Sequence, residues 1–122
     1  MPTSTVEHHR WSDVTAEAIN PFITRRYLMG DHLTVSQLEL KRDGVVAMHA
    51  HENEQISIML SGALKFTIEG REIIVRAGEV LVIPGTVPHG VDVLEDTLVI
   101  DVFTPIRQDW IDKTDSYLRG SR

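Results

Sequence analysis

An all-β chain is predicted, an antiparallel β-barrel of jelly-roll type followed by a short C-terminal helical segment. Three observations carry this. From Leu33 onward, short β-branched and aliphatic segments follow one another closely. Turn signals divide them at Asp43-Gly44, Ser61-Gly62, Glu69-Gly70, Ala77-Gly78, Pro84-Gly85 and Glu95-Asp96. No internal repeat or low-complexity stretch is visible, so a single barrel is expected rather than a duplicated one.

Taken in order, residues 1–10 read as a flexible tail, 11–108 as the barrel and 109–122 as a C-terminal segment. The adjacent His8 and His9 fall in the tail and read as solvated imidazoles. Leu64, Phe66 and Ile68 alternate with Lys65, Thr67 and Glu69, and Gly70 then turns the chain into Ile73 and Val75. That is a hairpin with one buried face. The run Leu98 to Phe103 is apolar at every position but one, as expected of a strand covered on both faces. The exception is Asp101. Beyond Pro105, the stretch Asp109 to Leu118 places Trp110, Ile111, Tyr117 and Leu118 close to one helical face, which predicts a short helix docked on the barrel or on a second subunit.

Composition narrows the function. The 122 residues are 42% hydrophobic and 25% charged, an ordinary globular balance with room for one modest core. No apolar run is long enough to span a bilayer as a helix, and residues 1–10 lack the apolar region of an export signal, so a cytoplasmic location is expected. A net charge of −6 without a basic cluster argues against nucleic acid as a partner. With no cysteine, any bound metal must be held by imidazole, carboxylate, amide or water.

His49-Ala50-His51 puts two imidazoles at i and i+2, on one face of a strand, which makes a chelating pair. Gln55 has the same parity as His51 on an uninterrupted strand, whereas Glu52 and Glu54 fall on the other face. His89, after Val87-Pro88, is placed to bring a fourth donor from a neighbouring strand. Three imidazoles and an amide oxygen suit nickel, zinc, iron, copper or manganese. Four neutral donors leave the ion its full positive charge and strengthen it as a Lewis acid. Asp101 is the second informative residue, because an ionised carboxylate in an apolar strand is costly unless it is paired or its pKa is raised. Two readings stand: an Asp101 to Arg107 ion pair closing the barrel end, or an acid/base group with Arg107 as a carboxylate clamp.

These residues together resemble the bipartite pattern of the cupins over the middle half of the chain. Gly44, His49, His51, Gln55 and Gly62 correspond to the first half, and Gly78, Pro84 and His89 to the second. The chain departs from the pattern in several places. Gln55 stands at the usual Glu, Thr86 at the usual second-half Gly and Val93 at the usual Asn, and the interval from Gly44 to His49 is one residue short. The stretch His49 to Arg107, above all Ile100 to Arg107 after Val-Pro-His89-Gly, resembles the KdgF family of pectin-degradation cupins. That resemblance implies metal ligation by His49, His51, Gln55 and His89, and a catalytic cavity set of Asp101, Phe103 and Arg107. It also implies ring opening and ketonisation of 4,5-unsaturated uronates without a redox change. An oxygen-dependent dioxygenase, or a sugar-binding barrel without catalysis, are the other classes these residues admit. An exposed edge strand and the apolar C-terminal segment point to a homodimer.

Overall fold

The computed structural model describes residues 5–115 and 118. Residues 5–10 are exposed and form no regular element, and a 3-10 turn, Trp11–Asp13, leads into the sheet. Eight strands follow: β1 Glu17–Asn20, β2 Ile23–Met29, β3 Thr34–Leu40, β4 Val45–His49, β5 Glu54–Ile68, β6 Arg71–Arg76, β7 Val80–Ile83 and β8 His89–Thr104. The strands thus start well before Leu33. Every ladder is antiparallel.

The hydrogen-bonded sheet does not close into the expected ring. Its order is β1-β2-β3-β8-β5-β6, with β4 on β8 and β7 on β5, and among the described residues no ladder joins β1 to β6. The reason lies in the two long strands. They pair along their whole lengths, but each changes its outer partner midway: β5 from β7 to β6, and β8 from β4 to β3. The register slips where they bend, between Met59 and Leu64. Buried positions are Gln55, Ser57 and Met59 before the slip and Leu64, Phe66 and Ile68 after it, so the inward parity changes there. The signals at Ser61-Gly62 and Glu95-Asp96 are therefore bulges inside β5 and β8 rather than turns. Gly62 has φ 89, and a Cβ on it would run into the Asp96 carbonyl and Thr97.

Ile19, Ile23 and Leu40 from one half of the folded sheet share a single core cluster with Leu64, Phe66, Ile68 and Val75 from the other. The predicted hairpin is present: Ile68 pairs Arg71 across Glu69 and Gly70, both at positive φ as a two-residue primed turn requires. The run Leu98 to Phe103 is fully buried on one face only, and Leu98, Ile100 and Val102 on the other are half-buried. At the C-terminus the helix is shorter than Asp109 to Leu118. Helix α1, Gln108–Asp112, stops at Lys113 in the left-handed conformation, and Ile111 is exposed while Trp110 and Leu118 are buried. Tyr117 lies outside the described residues. None of the described helices is long and apolar enough to cross a membrane.

Candidate metal centre

Local backbone geometry gathers three histidines. His49 ends β4 and pairs with His89, the first residue of β8, across the β4–β8 ladder. His51 follows in a loop, because the strand expected to run from His49 to Gln55 is broken over residues 50–53. The loop is held by two contacts. The Thr86 amide donates to the His51 carbonyl at 2.7 Å, and a Cβ on Gly85 would collide with the Glu52 carbonyl, so this approach requires glycine. Asn53, buried, donates through its amide to the carbonyls of Pro105 and Ile106, tying the ligand loop to the segment that carries Arg107.

Each imidazole has its Nδ1 against a backbone carbonyl two residues away: His49 to Ala47 at 2.7 Å, His51 to Asn53 at 3.0 Å and His89 to Val87 at 2.9 Å. Carbonyls only accept, so the proton sits on Nδ1 and Nε2 keeps its lone pair. Burial lowers all three pKa values, with nearby positive charge on Arg107 acting in the same direction, and His49 and His51 are brought down to about 4. At neutral pH the rings are neutral ligands. One nitrogen from each lies within 4.8 Å of the others. Atoms that close fit inside a circle of radius about 2.8 Å, within small side-chain adjustments of a ~2.1 Å metal–nitrogen bond.

A divalent ion fits these residues. His89 Nε2 is buried without a hydrogen-bond partner, a cost that coordination would remove. Gln55 faces inward as its parity predicts, although its place is set by β5 rather than by a strand shared with His51. Its Oε1 stands 3.1 Å from His51 Nε2, while Glu52 and Glu54 are exposed. His8 and His9 take no part, and His9 pairs with Glu7.

His49 and His89 open on a cavity of about 60 Å³, room for about four waters, whose lining includes Gln55, Asp101, Phe103, Arg107 and Trp110. Asp101 is buried and accepts a 2.6 Å hydrogen bond from Ser57 Oγ. Burial raises its carboxyl to about 6, against the opposing pull of that bond and of the Arg107 charge. The carboxylate that Arg107 grips is Asp109 rather than Asp101: Nε and Nη2 donate to its two oxygens at 2.9 and 2.7 Å. Burial would raise the Asp109 carboxyl, but these bonds outweigh it and hold it low. The Arg107 guanidinium lies over the rings of Phe103 and Trp110 at 4.6 and 4.5 Å, and Phe103 meets His51 edge to face.

Four contributors were not among the candidates: Asn53, Ser57, Arg25 and Trp110. Arg25 is fully buried, pairs with Glu17 and Asp115, and stacks 4.1 Å over Trp110, which fixes the C-terminal segment against the cavity. Ser57 had a legible signal, since it shares the inward parity of Gln55. Arg25 had none in local sequence, because its partners lie 8 and 90 residues away.

Comparison with known proteins agrees with this geometry. The Cupin domain profile matches residues 37–103. The structure of KdgF from Halomonas sp. superposes with a TM-score of 0.75 at 30% identity, over 81% of this chain and 94% of that one. An RmlC-like cupin from Shewanella frigidimarina NCIMB 400 gives 0.80 at 22% identity, over 87% of this chain and 96% of that one, a likeness of fold. The polyketide cyclase RemF from Streptomyces resistomycificus gives 0.71 at 26%, over 83% and 80%. No curated protein sequence matches the chain.

Proposed function

As the chain belongs to the cupin family, we propose that it is a metal-dependent enzyme of that family which opens and ketonises 4,5-unsaturated uronates. The observation that carries this reading is Asp101: a buried carboxyl with a pKa of about 6, lining the same cavity as His49 and His89. A group of that pKa both takes and returns a proton near neutral pH.

The ion would be held by His49, His51 and His89, with Gln55 Oε1 as a fourth donor. Bound there, it supplies Lewis acidity toward substrate oxygens. The remaining steps fall to the chain. Asp101, ionised, takes the proton of the anomeric hydroxyl. The C1=O bond forms as the bond from C1 to the ring oxygen breaks, and the electron pair passes to that oxygen as an enolate. Asp101 then delivers its proton to C4, which leaves a ketone at C5 and the carboxylate restored. Phe103 packs on the apolar face of the sugar. Arg107 anchors the substrate carboxylate, with Asp109 holding the guanidinium plane over Phe103 and Trp110 beforehand. A cavity of about 60 Å³ is smaller than a sugar, so binding one requires the cavity to widen.

We further propose a cytoplasmic homodimer. Val80 and Val82 on the edge strand β7, with Leu60 on β5, are exposed, and a second copy would cover them. Light scattering on Val80→Asp against the wild type tests the dimer.

The catalytic assignment is tested by Asp101→Asn, which keeps shape and removes the titrating group. On an unsaturated uronate, with the metal supplied at a saturating concentration, kcat should fall about 10²- to 10⁴-fold. Normal turnover would remove Asp101 from the chemistry.

A further inference from the structure

A line of polar contacts, two lone-pair atoms facing each other at the ion site and then two hydrogen bonds, runs from that site into the core. Gln55 Oε1 lies 3.1 Å from His51 Nε2, Gln55 Nε2 donates to Ser57 Oγ at 3.0 Å, and Ser57 Oγ donates to Asp101 Oδ1 at 2.6 Å. Ser57 is fully buried and stands opposite Asp101 in the β5–β8 register. Its surroundings fix the direction of every bond. A serine hydroxyl has one proton, and an ionised carboxylate only accepts, so that proton goes to Asp101. Ser57 then offers Gln55 a lone pair. Gln55 must turn its N–H toward Ser57 and its carbonyl oxygen toward the histidines. With the amide reversed, an N–H that binds no cation would face the ion site.

We propose that Ser57 is a positioning residue of the metal centre, which aims the Gln55 amide oxygen at the ion and couples it to the Asp101 carboxylate. This role rests on the metal centre proposed above. Hydrogen bonding at the amide N–H draws electron density onto its oxygen, so the relay makes Gln55 a better donor than an isolated amide. The carboxylate absent from the ligand set is thereby present one hydroxyl away. Groups that orient a ligand from behind are typically worth about 10- to 100-fold in metal affinity.

Cobalt(II) titration of the metal-free full-length chain, followed by its visible absorption spectrum, tests the relay. Ser57→Ala should bind cobalt(II) about 10- to 100-fold more weakly and with shifted absorption bands. Ser57→Thr, which restores the hydroxyl, should return affinity to within about threefold of the wild type. Thermal melts of the metal-free proteins identify a variant that fails to fold. Should Ser57→Thr be that variant, Asp101→Asn takes its place: an asparagine that donates to Ser57 releases Gln55 to reverse, so the bands should shift as in Ser57→Ala. Wild-type affinity and spectrum in Ser57→Ala would overturn the relay alone. Equal weakening in folded Ser57→Ala and Ser57→Thr would also overturn it, since the hydroxyl would then not be the cause. A wild-type chain that binds no cobalt(II) overturns the metal centre and the relay with it.

Discussion

His49 and His89 stand opposite one another across the β4–β8 ladder with ring centroids 4.3 Å apart, although 40 residues separate them in the chain. Both rings have Nδ1 against a carbonyl, and His89 Nε2 is buried without a partner. An ion between them satisfies that atom. Nickel(II) at about 100 times its Kd should stabilise the chain by about 2.7 kcal/mol, a rise of several degrees in Tm. His89→Ala should abolish the rise. A nickel-dependent rise that survives in His89→Ala would place the ion elsewhere.

Asp101 should cost stability in the metal-free protein. Its pKa is raised from 3.8 to about 6, so the folded chain holds the proton more tightly than the unfolded one between those values. The folded state is therefore favoured below pH ~4 and loses that advantage as pH rises through about 6, a difference of about 3 kcal/mol by pH 8. Asp101→Asn removes the titration. In urea unfolding without metal it should be the more stable protein at pH 8, by up to ~3 kcal/mol, with the difference vanishing near pH 4. An asparagine variant less stable at pH 8 would mark Asp101 as a structural group.

Much of the site was legible because ligand geometry and strand parity are local. Within β5, Glu54 is exposed and Gln55 faces inward as alternation predicts, although the continuous strand from His49 that this parity presupposes is broken. Parity alone could not see the loop over residues 50–53, because the break depends on Gly85 and Thr86 packing against it from elsewhere in the chain. The same limit explains Arg107. Proximity in sequence suggested Asp101 as its partner, but a side chain in β8 and one beyond the strand end point to different neighbours, and Asp109 at the start of α1 is nearer. Ser61-Gly62 and Glu95-Asp96 carry turn residues, yet each faces the other across paired strands, so together they bend a ribbon instead of ending it.

Arg107→Lys keeps the charge and loses the planar fork that holds Asp109 and stacks on Phe103 and Trp110. If Arg107 anchors the substrate carboxylate, the loss should appear chiefly as a raised KM for an unsaturated uronate, with kcat changed much less. A fall in kcat at constant KM would instead assign Arg107 to the chemical step.

Thr86 occupies φ 68, a left-handed conformation that β-branched residues disfavour by roughly 1–2 kcal/mol. Glycine relieves that strain but adds about 0.5–1 kcal/mol of unfolded-state entropy. Thr86→Gly should therefore stabilise the metal-free chain by about 0.5–1 kcal/mol in urea unfolding. Destabilisation would mean that the Thr86 hydroxyl bond to the Gly85 carbonyl outweighs the strain.

In the proposed reaction a divalent ion at His49, His51 and His89 and a proton-shuttling Asp101 together ketonise an unsaturated uronate. The most direct measurement is incubation of the metal-loaded chain, its metal content determined, with a 4,5-unsaturated uronate under argon and under air. Loss of the ultraviolet absorbance of the conjugated double bond is followed. The account predicts equal rates in both atmospheres, with no oxygen consumed and a linear keto sugar acid as product. A fully loaded, folded protein that leaves the absorbance unchanged, or turns over only in air while consuming oxygen, would contradict it.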